Sequence, residues 1–580
     1  MKSLLSTVAL IWRLGSPYFW SEDKWPGRLL LGAVIAIELG LVAIDVLINQ
    51  WNNRFYNALQ DKNWDAFVYE LGYFCVLAAI FIVLAVYQLY LNQWLQIRWR
   101  RFMTERYLRG WLDAGNHYRM QLLGDAADNP DQRIAEDIQR YVEQTLTIGI
   151  GLLSSVVTLG SFVVILWGLS ETAPLRLFGT DMIIPGYLVW AALLYAIVGT
   201  WFTHLIGRPL IGLNFNQQRF EADFRFNLVR VRENSEQIAL LTGEDAERDR
   251  LLGRFSAVVA NWLLIMKRTK RLTTFTAGYR QISTVFPFVV VSPAYFSGAI
   301  QLGGLMQTAS AFGSVQNALS FFVTAYRQIA EWRAVVARLE GFLNSVEHGH
   351  RIATTPPVIE VARTDTPAVA LDRLELRLPA GDPLVEAERI SVSPHDRVLV
   401  SGPSGSGKST LLRAIAGIWP FGQGSVSIPK GADLMVLPQR PYLPIGSLHA
   451  AVAYPAAPDR FDHAQMREVL TAVGLPALAN RLDEDAHWNR MLSLGEQQRL
   501  GIARAILHKP DYLLLDEATA SLDEPSEARL YELLDDRLPD AAIVSVGHRS
   551  TLLAFHKRHL ELSRDARAFT LHETAMPQRA

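Results

Sequence analysis

The sequence predicts a multi-domain membrane protein, in which an all-α domain with six transmembrane helices is followed by a soluble α/β domain. The first two thirds of the 580-residue chain contain six mostly apolar stretches of membrane-spanning length, since a span needs about 20 such residues. In the last third, short β-branched strands alternate with helical segments, a pattern typical of an α/β domain. Only 19% of all residues are charged, against roughly 25% in soluble proteins.

The predicted spans divide the chain into domains. Six buried helices of a soluble protein are a poor alternative, because a soluble core rarely contains so many apolar stretches of this length. The predicted spans cover residues 29–49, 71–91, 146–169, 183–206, 276–299 and 302–326. The expected domains are an N-terminal interfacial segment at 1–26, a transmembrane domain with cytoplasmic helical extensions at 27–343, a linker at 344–368 and the soluble domain at 369–580.

Basic residues set the expected orientation, because cytoplasmic segments of membrane proteins are rich in Lys and Arg. The two long connections, 96–141 and 207–271, carry basic clusters, whereas the three short connections are poor in them. The frequent Glu, Arg, Leu and Ala of the two long connections also indicate helices. We therefore expect these connections to extend the spans into the cytoplasm, with both termini of the chain on that side. We expect no cleavable signal peptide, because no short apolar core with a small-residue cleavage site follows the N-terminus.

Composition bears on disulfides, on metal sites with cysteine ligands and on nucleic-acid partners. The chain has a single cysteine, Cys75, which excludes an intrachain disulfide and a cysteine-ligated metal site within one chain. The net charge of -1 gives no indication of a nucleic-acid partner.

The first chemical motif is a glycine-rich stretch at 402–409 that fits the P-loop pattern G-x-x-x-x-G-K-[ST]. It lies between a predicted strand and a predicted helix, where backbone N–H groups can converge on phosphate oxygens. Lys408 is expected to reach the β and γ phosphates of a nucleotide, and the Ser409 hydroxyl to ligate Mg²⁺. The candidate nucleotide contacts are Gly402, Ser404, Gly405, Ser406, Gly407, Lys408, Ser409 and Thr410.

Two adjacent carboxylates end an apolar strand at 512–515. Asp516 is expected on the magnesium side of a nucleotide site. Glu517 points elsewhere and can polarise a water for in-line attack on a phosphate. A solvated turn is the alternative, and the four apolar residues immediately before the pair argue against it.

Between these motifs, the stretch 492–499 reads Leu-Ser-Leu-Gly-Glu-Gln-Gln-Arg and resembles the signature sequence of ABC transporters, L-S-G-G-Q. Gln439 resembles the family's Q-loop residue, Ser521-Leu522-Asp523 its D-loop and His548 its switch histidine. The resemblance covers essentially the whole chain. It implies an exporter-type transmembrane fold, an ATP-binding cassette, ATP and Mg²⁺ as cofactors, and ATP hydrolysis coupled to transport.

The same resemblance assigns roles to individual residues. It implies catalysis by Glu517, His548 and Gln439, with Ser409, Gln439 and Asp516 at the metal. It adds Ser493, Gly495, Glu496 and Asp523 to the nucleotide contacts. Because such sites are completed by the signature of a second cassette and this chain has one, it implies a homodimer in the lipid membrane.

Two positions depart from the family pattern. Leu494 stands where many members have glycine, so one backbone contact to the γ-phosphate is expected to differ. Leu378 aligns with the aromatic residue that stacks on adenine, so adenine is expected to be held by apolar contact.

Four stretches have a narrower resemblance, to the subfamily D half-transporters for fatty acyl-CoA or cobalamin and, more closely, to their bacterial SbmA/BacA-like relatives. They are 129–134, 222–226, 233–239 and 437–444. The bacterial group implies an inner-membrane location and uptake of peptides or other bulky hydrophilic solutes, cobalamin-like ones included.

Polar residues within the predicted spans give evidence on cargo that does not depend on the resemblance. Glu38, Asp45 and Asn49 fall within about 40° of one face of the first span, and Gln88 and Asn92 share a face of the second. Such residues usually face a bundle interior or a water-filled pathway, and an interhelical hydrogen bond without a substrate role is the alternative. An acidic, amide-rich lining suits polar or cationic cargo.

Two alternatives to peptide uptake remain open. An exporter of fatty acyl-CoA or lipid has the same fold, and it predicts a basic cleft for the CoA phosphates. A proton-coupled peptide permease would use Glu38 or Asp45 to carry protons. A soluble ABC ATPase is excluded by the six spans.

Overall fold

The computed structural model describes residues 2–123, 129–172, 175–177, 180–182, 184–565 and 567–575. These residues form two compact units. One unit combines Met1–Leu108 with Pro130–Phe342, and the other combines Arg109–Asn129 with Leu343–Ala580.

Long helices make up the first unit, with a one-turn helix α5 (Pro130–Gln132) and a π-helical turn (Arg133–Asp137) before α6. Its other helices are α1 (Lys2–Phe19), α2 (Lys24–Gln60), α3 (Trp64–Leu112), α6 (Ile138–Thr172), α7 (Tyr187–Glu233), α8 (Ser235–Leu240), α9 (Glu244–Phe296) and α10 (Leu302–Thr354). The unit is not purely helical, because β1 (Leu175–Leu177) and β2 (Thr180–Met182) form an antiparallel hairpin between α6 and α7. Two strands of three residues each carry too little periodicity to be found in the sequence.

Four of the six predicted spans lie within α2, α3, α6 and α10; the span 183–206 begins four residues before α7, and the span 276–299 ends three residues after α9. Among the described helices, four segments are long and apolar enough to cross a membrane: Lys24–Gln60, Trp64–Leu122, Pro130–Thr172 and Tyr187–Glu233. The helices α9 and α10 are 53 residues each but less apolar, since polar residues such as Arg280 and Gln316 lie inside the predicted spans.

The helices continue well beyond the predicted spans, as the basic connections indicated. Helix α3, with 49 residues, is about 74 Å long, and α7 and α9 pair along their length. Between these two, Tyr195 Oη donates to the Tyr279 carbonyl at 2.6 Å and Tyr279 Oη donates to the Tyr195 carbonyl at 2.9 Å. Gly199 makes this approach possible, because a Cβ there would overlap the Tyr279 ring.

The second unit contains helix α4 (Asn116–Leu122), the end of α10 and an α/β domain. Leu122 packs against the β-rich core of that domain. The segment predicted as a linker, 344–368, holds the end of α10 and the first strand of the sheet, β3 (Glu360–Thr364).

A ten-stranded sheet forms the centre of the α/β domain within the described residues. Its other strands are β4 (Val369–Arg377), β5 (Pro383–Val392), β6 (Arg397–Ser401), β7 (Gly422–Pro429), β8 (Leu434–Leu437), β11 (Tyr512–Asp516), β12 (Ala542–Val546), β13 (Arg558–Arg564) and β14 (Phe569–Thr574), and β9 (Gly446–Ser447) pairs with β10 (Asp485–Ala486) outside it. The helices are α11 (Lys408–Ile415), α12 (Leu448–Ala453), α13 (His463–Ala472), α14 (Trp488–Met491), α15 (Leu494–His508) and α16 (Glu524–Arg537). Strands β6, β12, β11 and β8 are neighbours and run parallel, so their carboxyl ends share one edge, where ligands bind in such sheets.

Candidate functional site

The P-loop, residues 402–409, joins the end of β6 to α11, and its glycines have backbone angles that L-residues avoid. Gly402, Gly405 and Gly407 have φ angles of +145°, +79° and +95°. At Gly407 a Cβ would also lie 2.5 Å from Val385 Cγ2. Only glycine allows the loop to curl in this way and expose its N–H groups at the start of a helix.

Lys408 is buried under this loop. Its Nζ donates to the carbonyls of Gly402 and Pro403 at 2.9 and 2.8 Å. Burial lowers the pKa of the Lys408 ammonium, while Glu517 and Asp516 oppose that shift. A desolvated ammonium that is held only by neutral carbonyls favours an anionic ligand in the loop.

Ser409 and Asp516 form a pair of oxygen ligands. The Ser409 hydroxyl, on α11, donates to Asp516 Oδ1, at the end of β11, at 2.7 Å. Burial raises the pKa of the Asp516 carboxyl, and the Ser409 hydrogen bond opposes it. Hard oxygen donors of this kind suit Mg²⁺.

Glu517 is held from two sides. Gln439, two residues after β8, donates through Nε2 to Glu517 Oε2 at 3.0 Å, and His548, two residues after β12, has Nε2 at 3.3 Å from Glu517 Oε1. Glu517 has φ +50°, an unfavourable angle for a residue with a Cβ, and such angles cluster at functional sites. The three residues that the sequence predicts as catalytic therefore lie together.

The signature segment begins α15 with a reciprocal cap. Ser493 is the N-cap residue, its hydroxyl accepts from the Glu496 N–H at 3.3 Å, and Glu496 Oε2 accepts from the Ser493 N–H at 2.8 Å. Gly495 packs against the D-loop of the same chain, since a Cβ there would lie 3.2 Å from Leu522 Cδ2. Asp523, the residue after Leu522, is the N-cap residue of α16.

Two further residues hold the site together and were not predicted as site residues. Gln498 Nε2 donates to the Gln439 carbonyl at 2.9 Å, and Gln498 Oε1 accepts from the Ser521 N–H at 3.0 Å. Arg549, next to the switch histidine, donates to the carbonyl of Leu522 in the D-loop and to that of Ala520 just before it. The only sequence signal for either was its position beside a motif.

At the position predicted for adenine, Leu378 is exposed and belongs to a turn closed by Leu378 N–H to the Asp382 carbonyl at 2.8 Å. The nearby Trp419 is buried and donates through Nε1 to the Arg377 carbonyl at 3.0 Å. An apolar contact at Leu378 therefore stays the prediction for adenine.

The structure divides the predicted membrane residues into two groups. Gln88 donates to Glu38 Oε2 at 3.2 Å across α2 and α3, Asp45 is exposed and Asn92 is half-buried. Asn49 is 1% exposed and donates to the Gln307 carbonyl of α10 at 3.0 Å. Asn49 and Gln88 thus both make interhelical hydrogen bonds, and a position beside a water-filled pathway stays a prediction for these residues.

Comparison with known proteins identifies the family. The model of the ABC transporter transmembrane region 2 matches residues 14–296, and the ABC transporter model matches residues 386–520. The chain is 36% identical to the inner membrane ABC transporter ATP-binding protein YddA of Escherichia coli K12, over 92% of this chain and 93% of that protein. It is 33% identical to ABC transporter D family member 2, chloroplastic, of Arabidopsis thaliana, over 95% and 85% of the two chains.

A solved structure has the same fold. The structure of a bacterial Atm1-family ABC exporter with ATP bound matches with a TM-score of 0.71 and 18% identity over 93% of this chain and 94% of that one. The predicted fold class, a six-helix membrane domain with an α/β cassette, is thereby confirmed. The chain belongs to the ABC transporter family, as an ATP-hydrolysing half-transporter whose relatives include bacterial YddA-like proteins and subfamily D.

Proposed function

We propose that two copies of this chain form a transporter in the bacterial inner membrane, with both termini and the cassette in the cytoplasm. ATP hydrolysed by the cassettes would drive uptake of peptides or other bulky hydrophilic solutes, cobalamin-like ones included. The observation that carries the ATPase part of this proposal is the Glu517 carboxylate, engaged by Gln439 and His548 beside the Ser409–Asp516 pair.

The P-loop fits a nucleoside triphosphate with Mg²⁺. Ser406 Oγ is buried and has no hydrogen-bond partner among the described residues, so it is free to donate to a phosphate. Ser409 and Asp516 would hold the magnesium side, with Gln439 close by. When bound, Mg²⁺ would supply charge neutralisation at the β and γ phosphate oxygens.

The protein's own residues would divide the work of hydrolysis. Lys408 would turn its ammonium from the loop carbonyls to the phosphates. Glu517 would accept the proton of the attacking water, and Gln439 and His548 would hold its carboxylate where it can orient that water for in-line attack on the phosphorus. Orientation of this kind supplies much of the catalysis of phosphoryl transfer.

A second copy would complete each site. Ser493 and Leu494, at the start of α15, are exposed, so the first turn of this helix is accessible to a ligand from outside its own cassette. The start of a helix favours a phosphate. The P-loop and the signature would then belong to one site only in a symmetric dimer.

Mixing two inactive chains tests this assembly. Lys408→Ala removes the phosphate contact and leaves the signature intact, whereas Ser493→Ala does the reverse. Each variant alone should lack an intact site, while a mixture prepared by exchange of subunits should have about a quarter of its sites intact and regain ATPase activity. If the mixture stays as inactive as its parents while wild type hydrolyses ATP, the sites do not form across a dimer.

The preference for polar cargo rests on α2 and α3. Glu38 receives a hydrogen bond from Gln88, and Asp45 remains exposed in a helix apolar enough to span a membrane. A carboxylate is costly in a bilayer unless water, a partner or cargo solvates it. We therefore infer a hydrated pathway that includes this part of α2.

A second candidate, transport of fatty acyl-CoA or another anionic amphiphile, is favoured by a basic groove between α7 and α9. This groove has a volume of about 600 Å³, and Lys267, Arg268 and Arg271 line it together with apolar residues such as Leu213 and Leu264. The three cations have no acidic partner among the described residues, and a cleft of this kind suits phosphates with an apolar tail.

The two cargo classes can be separated by ATPase stimulation. Purified protein in lipid is assayed with a cationic peptide, cobalamin and a fatty acyl-CoA. Stimulation by peptide or cobalamin supports the first proposal. Stimulation by acyl-CoA alone, lost when Lys267 and Arg271 are both replaced by Gln, supports the second.

A further inference from the structure

Arg549 follows the switch histidine directly and reaches across to the D-loop. Its Nη1 donates to the Leu522 carbonyl at 2.7 Å, and its Nη2 donates to the Ala520 carbonyl at 3.0 Å. Between these two carbonyls, the Ser521 N–H donates to Gln498 at 3.0 Å. The backbone of the D-loop is therefore held from both sides, by one arginine and one glutamine.

A buried carboxylate anchors the arginine. Glu527, on α16, is 2% exposed, and its Oε2 lies 3.5 Å from Arg549 Nη1. Thr519 donates to the other Glu527 oxygen at 2.6 Å, so Glu527 also binds the residue that precedes Ala520. A buried charge needs both its partner and its hydrogen bonds to be stable, and this requirement keeps the guanidinium in one place.

His548 and Arg549 are adjacent in sequence, and together they contact both ends of the segment 517–522. His548 contacts Glu517, and Arg549 contacts Ala520 and Leu522, only three and five residues further along the chain. Because these contacts join residues 548–549 to both ends of the segment 517–522, we expect a movement of one segment to displace the other. An arginine can make these contacts together because its planar guanidinium has five donors in a fixed fork.

We propose that Arg549 is a positioning residue that couples the D-loop to the switch histidine and so holds His548 against Glu517 during hydrolysis. The inference rests on the proposed ATPase mechanism. Arg549 need not touch the nucleotide. Its loss should lower the rate of hydrolysis and leave the contacts of the P-loop with ATP in place.

The decisive variant is Arg549→Lys in the full-length protein reconstituted in lipid. Lysine keeps a positive charge near Glu527, so the buried carboxylate retains a counter-ion, but a single ammonium cannot reproduce the fork. We expect a normal melting temperature, kcat lowered by about 10- to 100-fold, as for a misplacement near 1 Å, and KM for ATP within about twofold of wild type. Arg549→Gln should lower kcat at least as much.

The control is Arg389→Gln, which removes an exposed ion pair with Asp372 elsewhere in the cassette and should leave kcat and KM unchanged. If Arg549→Lys melts normally and turns over like wild type, charge alone suffices and the proposal is wrong. If kcat falls only in proportion to the loss of folded protein, Arg549 is merely structural and the proposal is also wrong. Absence of ATPase activity in wild type would instead overturn the proposed function.

Discussion

Replacing Glu517 by glutamine separates nucleotide binding from hydrolysis. The two side chains have the same shape, so an amide can accept the hydrogen bond that Gln439 donates at 3.0 Å. The amide cannot accept a proton from water, and it loses the charge that faces His548 at 3.3 Å. The change therefore removes the base and little else.

The expected loss follows from the role of the carboxylate. General-base assistance contributes about 10²–10⁴ in rate, which corresponds to about 2.7–5.5 kcal/mol of transition-state stabilisation. Affinity for ATP should stay within about threefold of wild type, because uniform binding comes from groups other than the base. The groups proposed to bind ATP are Lys408, Ser409 and the P-loop N–H groups, and Glu517 is not among them.

The assay compares phosphate release with retention of labelled ATP in detergent-free lipid discs. The variant should hold ATP in a closed dimer, and Glu532→Gln, an exposed change on α16, should behave like wild type. Turnover of the Glu517 variant within tenfold of wild type would show that another group acts as the base. Loss of ATP binding would show that the carboxylate builds the pocket.

Two further predictions concern the P-loop and the membrane pathway. Gly407→Ala should lower ATP affinity by at least tenfold and destabilise the cassette by about 1–3 kcal/mol, because its Cβ would meet Val385. Gly405→Ala should cost less stability and less affinity, because nothing lies within 4 Å of a Cβ there. Equal losses for the two variants in calorimetry and binding would contradict this steric account. Glu38→Gln combined with Asp45→Asn should reduce uptake of a cationic peptide into vesicles while basal ATPase activity survives, since the cassette is untouched. Normal uptake would mean that the acidic residues are structural.

The P-loop, the two carboxylates, the Q-loop glutamine and the switch histidine of the candidate ATPase site could be located from sequence because each lies at or just beyond the end of a strand. Lys408, Gln439 and His548 come after β6, β8 and β12, respectively, and Asp516 is the last residue of β11. Parallel strands bring their carboxyl ends to one edge, so local patterns with the right order were enough to assemble the site. The pairs Ser409–Asp516 and Gln439–Glu517, separated by 107 and 78 residues, follow from that topology.

Contacts that depend on side-chain direction could not be predicted. Asn49 shares a helical face with Asp45 within about 40°, yet its amide binds the Gln307 carbonyl of a helix more than 250 residues away. Arg549 likewise needs the path of the D-loop to be known. Helical periodicity gives the face of a residue but not the neighbour on that face, and packing decides the neighbour.

The departure at Leu494 has a simple physical reason in this fold. Leu494 is the first residue of α15 and its side chain is 37% exposed, so nothing within its own cassette requires glycine there. Gly495 differs, because a Cβ would press on Leu522 of the D-loop. Of the two adjacent glycines in the family's signature, the chain therefore keeps the one that packs tightly against its own D-loop. The position that it varies faces outward, where we propose that the nucleotide of a second copy binds, and there the leucine side chain would stand beside the γ-phosphate instead of a bare backbone.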